Sequence, residues 1–189
     1  MVGVPNWLTF SRNLSSANNS PRVVTYINIR LLSFWFLLHS DLLNHRDISL
    51  ISFFNNSVIF FLMNMYSNSS QSALKYLKNT EANIHNVLIM TGNFNIRDSL
   101  WDSLYSHHLF CSDLFLKIAD SFNLGISTST NWVPTRYSDN NQDANPVLDL
   151  MFLQFGSDEL DNHSIHLDWR LTSDHVPLTV MISIIEKHI

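Results

Sequence analysis

Runs of hydrophobic residues that are rich in β-branched and aromatic side chains predict six β-strands. These runs cover residues 22–29, 47–54, 58–66, 87–90, 147–155 and 178–185. Only Asn55, Asn56 and Ser57 separate the second run from the third, so we expect these two strands to form a β-hairpin. Residues 31–38 are apolar without clear alternation, and the pattern leaves their structure open.

Two other segments carry apolar residues at helical spacing. In residues 69–84, one helical face collects Ala73, Leu74, Leu77 and Ile84. A second helix is predicted for residues 112–122, with Ser112 as its N-cap. Because a hairpin is followed by alternating helices and strands, the pattern indicates a mixed α/β fold in which helices cover the sheets.

The length and composition of the chain fit one folded domain. It has 189 residues, of which 46% are hydrophobic and 14% charged, and a domain of similar size buries about 70% of its unfolded surface. Its 13 Phe and 5 Trp residues exclude an intrinsically disordered chain. Residues 1–21 are rich in Asn and Ser and are interpreted as an irregular leader, and residues 22–189 as the domain.

The sequence predicts an intracellular protein that is neither secreted nor inserted in a membrane. Its longest apolar runs, residues 31–38 and 58–63, are much shorter than the roughly 20 residues that cross a bilayer. The first nine residues do not combine a basic flank with a long apolar run, so we expect no signal peptide. The single cysteine, Cys111, excludes an internal disulfide and fits a reducing compartment.

The charged residues are distributed unevenly along the chain. Seven basic and three acidic residues precede Asp98, whereas four basic and thirteen acidic residues lie from Asp98 onward. A nucleic-acid-binding protein that is basic throughout would not have this distribution. The acidic half could supply carboxylates to a divalent cation or form a solvated acidic surface, and charge alone leaves both open.

Asp149 is the most informative single position. It lies inside the apolar run Val-Leu-Asp-Leu-Met-Phe-Leu, where an ionised carboxylate is costly unless it is paired. We therefore expect a buried partner, which could be a metal ion, a histidine, an arginine or a set of backbone amides. The plainer alternative is that Asp149 only anchors a loop.

Asp174 and His175 directly precede the last predicted strand. A carboxylate at the mouth of a strand can hold a divalent cation, and an imidazole can bind a phosphate oxygen or move a proton. Taken alone, such a pair is more often a polar turn. Tyr66 ends another strand, where its hydroxyl could reach a phosphate or simply form part of an aromatic rim.

Asn93 and Asn95 follow the predicted strand 87–90. If this segment is extended, the two amides share one side and Phe94 points inward. The two amides could then orient a water molecule or a phosphate oxygen. An Asx-turn is the alternative use of these residues.

The order of four motifs resembles the endonuclease/exonuclease/phosphatase superfamily. The motifs are Tyr66, Gly92-Asn93-Phe94-Asn95, Val147-Leu148-Asp149-Leu150 and Ser173-Asp174-His175. The segment Pro134-Thr135-Arg136 makes the chain most similar to the endonuclease domains of LINE-type retrotransposons. The resemblance extends from about residue 22 to residue 185. It implies a four-layer α/β/β/α sandwich of two mixed sheets with outer helices, lacking its first strands, with the site at the open edge of the sheets.

The resemblance implies divalent-metal-dependent hydrolysis of DNA phosphodiesters, with Mg²⁺ or Mn²⁺ as a weakly held cofactor. It makes Asp174 the carboxylate on the metal side and His175 the residue that bonds the scissile phosphate, oriented by Asp149. Tyr66 would contact the phosphate, and Asn95 would steady metal-bound or phosphate oxygens. With DNA as partner, a nuclear location would follow.

Two departures from the superfamily pattern predict impaired activity. Asn93 stands where the superfamily has an aspartate that deprotonates the attacking water, and losing a general base costs about 10²–10⁴ in rate. The superfamily also has a metal-binding Glu soon after an Asn on its first strand, but no Glu precedes Glu81, and Asn6 and Asn28 are poor substitutes for that Asn. The sequence therefore predicts a truncated, degenerate member with an incomplete metal cage.

Other functions remain open at the level of sequence. A relic or binding module of the same fold would lack turnover, and a phosphatase for a small phosphate ester would use the same site. Zinc binding by His107, His108 and Cys111, or by His163 and His166, lacks four ligands at a recognised spacing. A serine hydrolase is disfavoured because the Gly-x-Ser-x-Gly motif is absent.

Overall fold

The computed structural model describes residues 6–11, 22–56, 58–80, 84–127, 133–137, 145–154, 163–165, 174–175 and 178–180. The strands in these ranges are β1 (Trp7–Ser11), β2 (Val24–Asn28), β3 (Phe36–His39), β4 (Ile48–Phe54), β5 (Ile59–Tyr66), β6 (Val87–Asn93), β7 (Leu124–Ile126), β8 (Asp149–Gln154), β9 (His163–Ile165) and β10 (Leu178–Val180). The helices are α1 (Ser72–Asn79), α2 (Phe110–Ser121) and a 3₁₀ helix (Ile29–Ser33).

A six-stranded mixed sheet forms the centre of the fold. Its strand order is β3-β4-β5-β6-β8-β7, and β5 and β6 are parallel while the other neighbours are antiparallel. The predicted hairpin is confirmed as β4 and β5. Helix α1 connects β5 to β6, because two parallel neighbours need a crossover rather than a tight turn. Two antiparallel pairs, β1–β2 and β9–β10, complete the described strands.

One face of the six-stranded sheet packs against both α-helices. Alternation along β4 turns Ile48 and Leu50 toward this side. Helix α1 buries Ala73, Leu74 and Leu77 here, as its apolar spacing predicts, and α2 buries Phe115, Ile118 and Ala119. The ring centroids of Phe115 and Phe94 are 4.1 Å apart, so the predicted inward orientation of Phe94 is confirmed.

On the opposite face of the six-stranded sheet, β2 packs against β4 and β5. Ile27 packs there with Ile51, Phe53 and Phe60 in a second apolar cluster. Asn64 of β5 also donates a hydrogen bond from Nδ2 to Oγ1 of Thr25 at 3.1 Å. The described residues thus form a helical layer, a central sheet and a second sheet layer. The mixed sandwich fold predicted from the sequence is confirmed.

Two local predictions need correction. Trp7–Ser11 lie within the predicted irregular leader but form β1, which pairs with β2, because alternation turns Leu8 and Phe10 inward. Helix α2 begins at Phe110, with Leu109 as its N-cap, so Ser112 is a buried helical residue and not the cap. The start moves earlier because the buried carboxylate of Asp98 already accepts the Leu109 N–H at 2.9 Å.

Other predicted segments are shorter in the structure or extend beyond its described residues. Residues 31–38 divide into the end of the 3₁₀ helix and most of β3. In the strand predicted for residues 178–185, Leu178–Val180 form β10 and the remainder lies outside the described ranges. None of the helices in the described part of the chain has the length and apolar character needed to cross a membrane.

Candidate active site

Tyr66, Asn93 and Asp149 lie side by side on three neighbouring strands, and we call them the polar row. Tyr66 is the register partner of Asn93, and Asn93 is the register partner of Asp149. Since their neighbours Met65 and Leu150 face the helices, alternation turns all three side chains toward the other face of the sheet. The strands therefore bring together three predicted site residues at one end of the sheet.

His175 joins the polar row through Asp149. Its Nδ1 donates a hydrogen bond to Oδ2 of Asp149 at 2.7 Å. This hydrogen bond raises the pKa of His175 above its ordinary value, and burial opposes the rise. The negative charges of Asp149 and Asp174 add to the rise, while the positive charge of Arg136 opposes it. The buried partner expected for Asp149 is therefore a histidine, and the bond leaves Nε2 of His175 directed away from Asp149. We call the polar row together with Asp174 and His175 the rim site.

Asn93 is held between two partners. Its Oδ1 accepts the backbone N–H of Asn95 at 3.0 Å, and its Nδ2 lies 3.4 Å from Nε2 of His175. The Asx-turn considered from the sequence is thus present, and the same side chain also faces the imidazole. The amide nitrogen occupies the position at which an aspartate would present an acceptor oxygen.

Asn95 is exposed and lies at the end of β6, with a positive φ of 49° that Asn tolerates better than most residues. Its Nδ2 donates to the carbonyl oxygen of Ser67 at 2.8 Å. The Asn95 amide therefore connects the segments that follow β5 and β6. Its predicted role at phosphate or metal-bound oxygens stays a prediction.

Asp174 is paired with Arg136, a residue that sequence reasoning did not assign to the site. Nε of Arg136 donates to Oδ2 of Asp174 at 2.9 Å, and this hydrogen bond lowers the pKa of Asp174. The other carboxylate oxygen, Oδ1, lies 3.8 Å from Nε2 of His175. A backbone bridge also joins Arg136 to His175. The only sequence signal for Arg136 was its place in the segment Pro134-Thr135-Arg136.

Thr135 is a second residue that the sequence analysis did not single out. It is fully buried, and its Oγ1 accepts the backbone N–H groups of Leu148 and Asp149, each at 2.9 Å. Because these amides lie at the start of β8, the hydroxyl fixes the backbone from which the Asp149 side chain projects. Thr135 therefore positions the carboxylate that holds His175.

Tyr66 is stacked under an ion pair between Arg22 and the buried Asp47. The guanidinium carbon of Arg22 lies 4.9 Å from the centroid of the Tyr66 ring, a cation–π contact. Arg22 also donates two hydrogen bonds to the carboxylate of Asp47, which has no exposed surface. The backbone N–H of Tyr66 donates to the carbonyl oxygen of Asp47 at 2.9 Å. This packing orients the Tyr66 ring at the end of the polar row.

Gly92 lets β5 and β6 approach closely beside the polar row. Its φ is +145°, and a Cβ at this position would lie 1.8 Å from the carbonyl oxygen of Met65. Any side chain would push the two strands apart next to Asn93. Glycine is therefore required for the register that places Asn93 beside Tyr66.

Asp174, the predicted metal ligand, and the side chains beside it do not fit a divalent cation in the described part of the chain. Oδ2 of Asp174 is bonded to Arg136, Oδ2 of Asp149 is bonded to His175, and Asn93 is neutral. Among the described residues, no group of three His, Cys, Asp or Glu side chains could hold a metal ion. Mg²⁺ needs several oxygen ligands in octahedral geometry, which these paired groups do not supply.

The zinc alternative gains no support from the described residues. His108 forms hydrogen bonds with Asp98 at 3.1 Å and with Asp113 at 2.8 Å. Of the second histidine group, His163 lies in β9 and His166 lies outside the described ranges. Ser173 of the Ser-Asp-His motif also lies outside them.

Comparison with known proteins gives a clear structural match without a sequence match. No protein-family model matches the chain, and no curated protein matches it. The fold is similar to the endonuclease domain of TRAS1, a telomere-specific non-LTR retrotransposon, with a TM-score of 0.71 and 15% identity over 94% of this chain and 78% of that domain. It is also similar to the AP endonuclease LMAP from Leishmania major, with a TM-score of 0.61 and 16% identity over 85% of this chain and 66% of that one.

Both structures have the fold that the sequence motifs predicted. At 15% and 16% identity, the likeness to these two structures concerns the fold. This chain's own structure shows the polar row and the His175–Asp149 pair at the end of the sheet. The chain has the fold of the endonuclease/exonuclease/phosphatase superfamily.

Proposed function

We propose that the chain binds DNA phosphodiesters at the rim site and hydrolyses them only slowly. The observation that carries this proposal is the 2.7 Å hydrogen bond between His175 and Asp149, beside Asn93, in a nuclease-type fold. A histidine held in this way offers a charged donor at the end of a sheet, which suits the oxygen of a phosphodiester.

Four of the five residues of the rim site have a defined part in binding. Protonated His175 would donate from Nε2 to a non-bridging phosphate oxygen while Asp149 holds Nδ1. The Asn93 Nδ2 lies 3.4 Å from Nε2 and donates to it while the ring is neutral. Once Nε2 is protonated, the Asn93 N–H turns to the phosphate oxygen as a second donor on the same side. Tyr66, on the same face of the sheet, brings a phenol hydroxyl as a third donor. Together these donors recognise a phosphate oxygen without reading a base.

Hydrolysis is slow in this proposal because Asn93 cannot take a proton from water. An amide at the place of a general base lowers the rate by about 10²–10⁴. The pairing of Asp174 with Arg136 weakens the chain further as a ligand for Mg²⁺ or Mn²⁺. The same two observations favour a second candidate, a DNA-binding module of this fold without turnover.

The experiment measures binding and cleavage on the same protein. Binding of a fluorescein-labelled DNA duplex is followed by anisotropy, and cleavage by nicking of a supercoiled plasmid with Mg²⁺ or with chelator. The His175→Ala variant should lose binding, whereas the matched control His108→Ala, whose histidine bonds to Asp98 and Asp113, should bind like the parent chain. The Asn93→Asp variant should nick faster than the parent by about 10² or more.

The outcomes of this experiment distinguish a slow nuclease, a DNA-binding module and a small-ester phosphatase. Equal DNA affinity in the parent and in His175→Ala would overturn the proposed site. Binding that depends on His175 without nicking in the parent or in Asn93→Asp would establish the binding module. Release of phosphate from p-nitrophenyl phosphate by a chain that does not bind DNA would instead identify a small-ester phosphatase.

A further inference from the structure

Arg136 and Asp174 are held together by more than their side chains. Besides the 2.9 Å contact from Nε to Oδ2, the backbone N–H of Tyr137 donates to the carbonyl oxygen of Asp174 at 2.7 Å. A backbone bridge pairs Arg136 with His175. The two segments therefore run alongside each other, and the ion pair forms with less loss of side-chain freedom than an unsupported surface pair.

The position of this pair determines the charge next to His175. Oδ1 of Asp174 lies 3.8 Å from Nε2 of His175, the atom that faces the proposed phosphate. An unpaired carboxylate at this distance would repel an anion and attract a cation. Some positive charge must therefore offset Asp174 before a phosphodiester can bind.

Arg136 can provide that charge and still contact the ligand. Its Nε donates to Oδ2 of Asp174, and a guanidinium carries five N–H donors in a fixed fork. Its side chain is 45% exposed, so the remaining donors are accessible to a phosphate oxygen. Arginine is well suited to this use, because its planar fork matches phosphate as well as carboxylate.

One oxygen of each carboxylate at the rim site, and the amide oxygen of Asn93, already accepts a hydrogen bond. Oδ2 of Asp174 accepts from Arg136, Oδ2 of Asp149 accepts from His175, and Oδ1 of Asn93 accepts from the Asn95 backbone. A cation that used these oxygens would have to displace the donors. The side chains that the structure describes at the rim site thus form a hydrogen-bonded network organised around an arginine.

We infer that Arg136 replaces a metal ion at Asp174, so that DNA phosphodiesters bind at the rim site without a divalent cation. This inference rests on the proposed function, because it names the charge that makes phosphate binding possible there. Arg136 offsets Asp174 and donates to the phosphate beside His175. The DNA affinity should then be the same with and without Mg²⁺. At a site whose carboxylate binds a metal ion, the affinity would depend on Mg²⁺.

The test compares DNA binding with chelator and with Mg²⁺ at matched ionic strength, using a labelled duplex. The parent chain should bind equally in both buffers. Arg136→Gln should bind about tenfold more weakly in chelator, since it loses a charged donor and leaves Asp174 unpaired. Mg²⁺ should restore most of that loss in Arg136→Gln alone. Arg136→Lys, which keeps the charge, should bind more tightly than Arg136→Gln in chelator.

The Asp174→Asn variant keeps the inference testable even if Arg136→Gln does not fold, and a double variant extends the test if it does. Asp174→Asn should bind DNA in chelator at least as tightly as the parent, and the double variant Arg136→Gln/Asp174→Asn should lose the response to Mg²⁺. Direct titration with Mn²⁺, read by electron paramagnetic resonance, should show binding to Arg136→Gln and none to the double variant. Thermal unfolding by circular dichroism checks that each variant is folded.

The inference would be overturned if chelator weakened binding by the parent chain, or if Asp174→Asn bound DNA more weakly than the parent in Mg²⁺. Those results would make Asp174 a metal ligand. Failure of the proposed function gives a different result, because DNA affinity would then be unchanged in His175→Ala. The two proposals can therefore fail separately.

Discussion

His175 and Asp149 lie 26 positions apart in the chain, yet Nδ1 of the imidazole is 2.7 Å from Oδ2 of the carboxylate. Both side chains are mostly buried, with 32% and 19% of their surface exposed. The hydrogen bond from His175 therefore offsets the cost of placing the Asp149 carboxylate on an apolar strand. The contact also links the segment before β10 to the start of β8, where Thr135 holds the backbone.

Replacing Asp149 should lower the pKa of His175. The hydrogen bond from His175 to Asp149 is the largest cause of the raised pKa. Asp149→Asn replaces the charged acceptor, which favours the protonated ring, with a neutral one. Following the imidazole Cε1–H signal by NMR as the pH is changed measures this directly. An unchanged His175 pKa in Asp149→Asn would contradict the contact.

The free energy of unfolding should depend on pH through His175. Its pKa in the folded chain lies above the ordinary value of 6.5, so the stabilisation from the charged ring is fully present below pH 6.5. It should disappear as the pH rises from there through the higher folded pKa. The charged groups around the ring are Asp149 and Asp174, which favour the charged form, and Arg136, which opposes it.

Urea titrations across this pH window, with the parent chain and with His175→Gln, provide the measurement. The difference in unfolding free energy between the two should be larger at the acidic end. Parallel pH profiles would show that the ring is not stabilised in its charged form.

Gly92→Ala should destabilise the fold. The new Cβ would collide with the carbonyl oxygen of Met65, and alanine disfavours the positive φ of this residue. We expect a loss of roughly 2–4 kcal/mol in unfolding free energy, measured by urea denaturation. The exposed substitution Lys78→Ala should change it by no more than about 0.5 kcal/mol. Equal stability of the two variants would mean that β5 and β6 are farther apart than described.

Arg22→Gln should destabilise the chain through Asp47. The carboxylate of Asp47 is completely buried and would lose its guanidinium partner while keeping Ser72 as a hydrogen-bond donor and Nε of Arg46 at 3.8 Å. Because Arg22 is partly exposed and Arg46 stays near, we expect a loss of about 1–2 kcal/mol in unfolding free energy, less than for a fully buried pair. Chemical denaturation of Arg22→Gln tests this, with Arg30→Gln at an exposed arginine as the control. A loss as small as that of the control would argue against the ion pair.

Much of the fold could be predicted because the residue pattern within each segment indicates whether it forms a strand or a helix. The β4–β5 hairpin followed from two β-rich runs and the three turn residues between them. Helix α1 followed from its apolar spacing, and Phe94 from its place between two asparagines. β1 was missed because five alternating residues, Trp7–Ser11, stand in a segment whose composition is dominated by Asn and Ser.

The site could be predicted only as far as its residues lie on or beside strands. The motif order suggested that Asn93, Asp149 and His175 meet. The position of β6 between β5 and β8 depends on contacts between distant segments, so the sequence pattern of a single strand cannot predict it. Arg136 lies outside the six-stranded sheet and carries no periodic signal, so its pairing with Asp174 emerges only in three dimensions.

The most direct measurement is an NMR titration of the His175 imidazole with a short DNA duplex in chelator. If the rim site binds phosphodiesters, the His175 signals shift in a saturable manner, its pKa rises further, and the shift is lost in Asp149→Asn. If the duplex binds while the His175 signals stay unchanged, DNA is recognised elsewhere on the chain and the central claim is wrong.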